Sequence, residues 1–133
     1  MPVMILTHPS SHQHVTPAGH PERVERIEAV DRLLDTVPYD RLTRDEAPEA
    51  TREQLARAHD AAYLDMLETS VPATGWTSLD SDTHLSSMSL VAARHAAGSN
   101  VAAVEAVMAG RTKAAFCAVR PCGHHAERDR AMG

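Results

Sequence analysis

The chain has 133 residues, enough for one domain with a real core and too few for two. A formal net charge of −5 argues against a non-specific nucleic-acid binder, which needs a basic face. No stretch approaches the ~20 apolar residues that span a bilayer, and the apolar start Met1–Leu6 lacks a basic leader or cleavage site. These features predict a cytoplasmic chain with no membrane partner.

The apolar content is built from Ala, Val and Leu with few aromatics, so the core must rely on close helix–sheet packing rather than on large anchors. Lysine occurs once, at Lys113, beside many arginines, a coding bias rather than chemistry. Cys117 and Cys122 are not a CxxC pair and do not make a disulfide framework. Reduced thiols are expected.

In chain order, Val3 to Thr7 reads as a first buried strand. His8 to His20 is a polar loop with four histidines. Pro21 suits the first turn of a helix and Glu22 its start; Val24, Ile27, Val30 and Leu34 then form one buried stripe that Pro38 ends. Thr51 and Gln54 fit a capping box opening a short helix through about Ala58. Asp60 is a second N-cap candidate, ahead of a helix with Leu64 and Leu67 on one face that ends near Ser70. Val71 to Ser86 reads as a loop.

A long helix follows from about Ser87 to Ala109, with Leu90, Ala97, Val101, Val104 and Met108 along its predicted inner face. Ala96-Ala97-Gly98-Ser99 would let a neighbouring element approach closely. Gly110 is a good stop. Ala114 to Val119 is continuously apolar, as a strand buried on both faces should be. The order strand, helices, strand predicts the opening of an α/β sheet, mostly parallel, with flanking helices. Ligands of such sheets bind outside the carboxyl ends of the strands, where both histidine-rich loops fall.

The second of those loops carries the sharpest motif. Arg120-Pro121-Cys122-Gly123-His124-His125-Ala126, followed by Met132-Gly133, resembles the tandem-histidine signature of the histone deacetylase superfamily, which includes class II histone deacetylases and acetylpolyamine amidohydrolases. Other segments agree in order: Gly19-His20-Pro21-Glu22 with Arg26-Ile27, Ala58-His59 with Tyr63-Leu64, Asp80-Ser81-Asp82-Thr83, and Ala96-Ala97-Gly98. Cys122 stands where the signature usually has Pro.

The resemblance implies an arginase/deacetylase-like three-layer sandwich, of which residues 1–133 are the N-terminal part of a single catalytic domain. It implies a zinc-dependent deacetylase acting on acetyl-lysine or acetylpolyamine-type amides. His125 is then the general base, His124 its electrostatic or acid partner, Gly123 the position that leaves room for the substrate's alkyl chain, and Asp82 a rim aspartate holding the substrate. The family's zinc ligands, an Asp-x-His and a further Asp, lie downstream of the signature, as do the catalytic Tyr and the carboxylates that orient the histidines. No metal ligand is therefore assigned in this chain, and alone it is expected to be inactive.

Blander alternatives stand beside these. Asp82-Thr83-His84 has the spacing of an Asp-x-His but precedes the histidine pair and ends no apolar strand, so it reads as a coincidence. His8, His12, His14 and His20 have the donors for copper or nickel, yet histidines on a loop are usually just polar. Cys122 beside His124 suggests a thiol–imidazole nucleophile, but a neutral replacement of Pro is simpler. Trp76 reads as a substrate-binding aromatic or a cap on a helix face. Asp45, Glu46, Glu49 and Glu53 read as a solvated stretch. A second expectation, from another class, is a short paralogue that oligomerises through an exposed sheet edge and serves as a binding module.

Overall fold

The computed structural model describes residues 1–133 apart from the side chain of Tyr39. Three parallel strands form the centre: β1 (Val3–Thr7), β2 (Leu42–Glu46) and β5 (Ala115–Ala118), in the order β2-β1-β5. The register sets Ile5 beside Arg44 and Phe116, and Leu6 beside Asp45 and Cys117. Side chains alternate across a strand, so one face of the sheet carries Ile5 and Ala118 and the other Leu6 and Cys117. Helix α1 (Val24–Asp35) packs Ile27 on Ile5 and Ala118, with Val3, Val30, Leu34 and Leu42 around them. The long α4 (Ser89–Met108) lies against β5 and β1 on the other side, giving helix, sheet and helix in three layers. The open, parallel α/β architecture expected from the sequence is the one observed.

Several elements begin for the reasons their sequences suggest. Thr51 and Gln54 form a full reciprocal capping box at α2 (Arg52–Ala56), each side chain accepting from the other's backbone N–H. Helix α3 (Ala61–Ser70) buries Tyr63 and Leu64. Gly110 ends α4 with φ +70°, a left-handed conformation that costs glycine little. At Gly98 the expected close approach is extreme: an added Cβ would overlap the Pro48 carbonyl oxygen, and the Ala50 N–H donates to the Arg94 carbonyl at 3.0 Å.

Other expectations need correction. α1 starts at Val24, so Pro21 and Glu22 lie outside it, and the Glu22 carboxylate is used elsewhere. The acidic stretch at Asp45 and Glu46 is the end of strand β2, which the polar sequence Leu-Thr-Arg-Asp-Glu concealed because an exposed edge strand pairs through its backbone alone. The segment 71–86 is not only loop; β3 (Thr77–Ser78) and β4 (His84–Leu85) make a small antiparallel hairpin.

The inner face of α4 is also different from the predicted one. Ser89, Ala92, Ala96, Ser99 and Ala106 are buried, whereas Val104 and Met108 are 63% and 81% exposed. The buried positions of α4 are small residues, and at Gly98 the helix lies against the Pro48–Ala50 backbone, where a larger side chain has no room. Strand β5 is a sheet edge rather than a strand buried on both faces, and Phe116 is about half exposed. No helix is long and apolar enough to cross a membrane among the described residues.

Candidate active site

The loop His8–His20 and the loop after Ala118 leave the carboxyl ends of neighbouring strands β1 and β5. The first is more than a polar loop. It contains a 3-10 turn over Pro9–His12, and Ser10, Ser11 and His14 are buried. Its four histidines do not converge. His8 stacks on His95 with ring centroids 3.4 Å apart, His12 meets Asp31 at 2.8 Å, His14 meets the Ser89 hydroxyl at 2.7 Å, and His20 meets Asp82 at 3.0 Å. The copper or nickel reading therefore has no geometry behind it.

At the root of the second loop lies a buried ion pair. Arg120 donates from Nε and Nη2 to the two carboxylate oxygens of Glu22, both at 2.7 Å. Its Nη1 donates to the carbonyls of Ser11 and His14 at 2.7 and 2.6 Å, and its backbone N–H to the Ser11 hydroxyl at 3.2 Å. The His14 imidazole approaches Glu22 through Nε2 at 3.5 Å. In the neutral ring the Nε2–H faces the carboxylate and the Ser89 hydroxyl donates to Nδ1. Burial alone would raise the Glu22 pKa; the His14 and Arg120 contacts outweigh it and hold it at about 2.

Beyond Arg120 come a cis peptide to Pro121, then Cys122 and Gly123. Gly123 has φ +64°, and a Cβ added to it would meet nothing within 4 Å. The glycine is thus demanded by backbone conformation in a region of open space. The Ala126 N–H closes a turn onto the Gly123 carbonyl at 3.0 Å, with His124 and His125 at its tip. Both rings are exposed, with centroids 3.9 Å apart and planes tilted by 44°. Neither makes a hydrogen bond or ion pair among the described residues. No hydrogen bond fixes the tautomer of either ring among the described residues.

A second anchor follows the turn. Arg128 reaches the Asp60 carboxylate through Nε at 2.5 Å, and the Asp60 N–H donates to the Arg128 carbonyl at 3.1 Å. The His59 ring lies 3.0 Å from the Glu127 carbonyl through Nδ1. Asp60 is thereby diverted from the capping hydrogen bond its position before α3 suggested.

Pro121, Gly123 and Ala126 stand between two clefts. The larger, an open space of about 800 Å³, lies between α2, α3, α4 and β5, with Cys117 and Cys122 on its wall. The smaller, about 120 Å³, is lined by His14, His20, Glu22, Tyr63, Asp82 and His84. Burial raises the Tyr63 phenol pKa. Asp82 is held at the mouth by His20, while His84 is turned to the Ser78 hydroxyl at 2.8 Å. Trp76, half exposed, donates its indole N–H to the Val15 carbonyl at 2.8 Å, pinning the hairpin region to the first loop.

A zinc ion needs three or more converging donors. Among the described residues no three His, Cys, Asp or Glu side chains come together in that way. Asp82 and His84 are each committed to another partner, so the donors present do not fit the metal. The cysteines are both unbridged thiols.

The architecture defines an α/β protein whose polar chemistry sits at the carboxyl edge of a parallel sheet. Comparison narrows that class. Residues 20–133 match the histone deacetylase domain family. A histone deacetylase-like amidohydrolase of Pseudomonas aeruginosa is 39% identical over 117 residues, covering 87% of this chain and 30% of its own length. Histone deacetylase 15 of Arabidopsis thaliana is 34% identical over 116 residues, covering 86% of this chain and 21% of its own length. The crystal structure of the HDA15 HD domain superposes with a TM-score of 0.91 at 30% identity, over 100% of this chain and 39% of that one. The chain belongs to the histone deacetylase family. It spans less than two-fifths of the length of these relatives.

Proposed function

We propose that these residues form the N-terminal part of a single deacetylase-type catalytic domain and supply its proton-handling half. The substrates are amides of the acetyl-lysine or acetylpolyamine type. The observation that carries the reading is the tandem-histidine turn itself: two unengaged imidazoles at the carboxyl edge of a parallel sheet, on a turn whose Gly123 and Ala126 line a cleft together with Asp82 while the rings themselves do not. His125 is the general base that takes a proton from attacking water, and His124 is its electrostatic or acid partner. The open space at Gly123 admits an alkyl chain, and Asp82 holds the substrate at the rim.

The family resemblance implies a zinc ion, which would supply Lewis-acid polarisation of water and amide carbonyl; the donors among the described residues do not fit it. Its ligands belong to residues other than the ones described, so this chain alone hydrolyses no amide. A free imidazole without an orienting carboxylate is a weak base at neutral pH.

The test replaces the matching segment of the Pseudomonas aeruginosa amidohydrolase with residues 20–133 and measures amide hydrolysis on acetyl-lysine and acetylpolyamine substrates. The expected outcome is an active chimera that loses on the order of 10²- to 10⁴-fold in kcat on His125→Ala. A folded, active chimera indifferent to His125→Ala and His124→Ala would refute the assignment. Hydrolysis by the unfused chain with added zinc, lost in the double mutant, would refute its inactivity alone.

The free edge of β5, with Phe116 half exposed, favours a second reading: a module that associates through that edge. A monomer at all accessible concentrations in light scattering would exclude it.

A further inference from the structure

We infer that the Glu22–Arg120 pair is a positioning clamp for the tandem-histidine turn, with Glu22 and Arg120 as positioning residues for His124 and His125. The inference deepens the proposed function and rests on that reading for its purpose.

The argument begins with where the turn is tied down. The Ala126 N–H to Gly123 carbonyl is the backbone hydrogen bond that closes the turn. Among the described residues the two histidine rings have no hydrogen-bond partner and touch each other. Their location is therefore set by what holds the chain on either side. On the far side the anchor is the exposed Arg128–Asp60 pair with the His59 contact. On the near side it is Arg120, whose side chain is 4% exposed against 15% for Glu22.

The near anchor is the more exacting one. A guanidinium forked onto a carboxylate fixes orientation as well as distance. Here the same guanidinium also spans the carbonyls of Ser11 and His14, so one side chain ties β5's exit to three points of the loop leaving β1. Glu22 is itself held in place. The Glu22 N–H donates to His20 Nδ1 at 3.1 Å, and the Thr16 hydroxyl donates to the Glu22 carbonyl at 2.5 Å. His20 in turn holds Asp82, and His14 continues to Ser89 at the start of α4. The clamp thus links the root of the turn, the Asp82 rim and the α4 terminus, with no buried side-chain polar atom left unpaired among the described residues. A lysine at 120 has no fork and reaches at most part of this set.

The test compares wild type with Glu22→Gln by amide hydrogen exchange and by the imidazole NMR signals of His124 and His125, using the whole chain. The expected result is exchange at Ala126, whose N–H closes the turn onto Gly123, faster by about tenfold or more, with altered ring signals, while the Ala92–Ser99 amides of α4 change by less than about twofold. Unchanged exchange in the turn overturns the inference, as does a uniform increase across turn and α4, which is the mark of a purely structural pair. Glu22→Asp keeps the charge on a shorter stem and is expected to give an intermediate effect confined to the turn. Failure of both variants to fold overturns the inference, because the pair then builds the fold rather than placing the loop. These readouts are independent of turnover: the chimera assay can fail while the clamp stands, and the reverse.

Discussion

The carboxyl edge of the sheet and its lateral edge at β5 are built on opposite terms. At the carboxyl edge, polar and charged side chains are buried and each finds a partner: Arg120 with Glu22, His14 with Ser89, Ser11 with Arg120. At the lateral edge β5 pairs with β1 alone among the described residues, and Phe116 stands half exposed. Parallel sheets are normally covered on both faces and continued at their edges. The buried side chains of the first region are finished in their interactions, whereas β5 in the second pairs on one side only among the described residues.

The largest expected effect attacks the finished region. Arg120→Met leaves the half-buried Glu22 carboxylate and two carbonyls without their donor; breaking a fully buried pair from one side costs about 3–5 kcal/mol, which sets the upper bound here. A urea melt should show that loss. A change below about 1 kcal/mol would mean the pair is effectively solvated and the contrast with the β5 edge is weaker than drawn.

Acid should separate the two regions next. Glu22 is held at about 2 in the fold against an ordinary 4.5, so its contribution is complete above 4.5 and is lost as pH falls from there to about 2. His8 is lowered from 6.5, first by burial and then by the stacked His95, so the unfolded chain binds its proton more readily. Stability should therefore begin to decline as pH drops below about 6.5 and fall further below 4.5. Glu22→Gln should flatten the lower limb and His8→Phe the upper one in melts followed against pH.

The smallest effect on stability belongs to the unfinished region. Phe116→Lys places a charge on the exposed edge strand, a device that discourages edge-to-edge pairing. It should shift any self-association seen by light scattering toward monomer while altering stability by less than about 1 kcal/mol. A large loss of stability would show that Phe116 is part of the core.

Local rules made much of the fold legible. The period of Val24, Ile27, Val30 and Leu34 foretold the buried stripe of α1, the capping box at Thr51 and Gln54 formed as written, and the small residues around Gly98 marked a close approach. Strand β2 was hidden because its residues carry little burial signal; pairing with β1 through the backbone is what makes it a strand. The inner face of α4 is not legible from side-chain size, because its buried positions are Ser, Ala and Gly, with Gly98 against the Pro48 carbonyl. Glu22 was read as a helix-start residue, since nothing local says that its partner lies 98 residues away.

What the sequence by itself determined is the set of elements with strong local signals and the family motif Arg120–Ala126, because periodicity, capping and short motifs act over a few residues. Only the tertiary structure decided which loops are buried, which face of α4 meets the sheet, and that Glu22 and Arg120 meet. Those outcomes depend on three parallel strands bringing distant segments to one edge, where a buried charge must find its partner or not be buried at all.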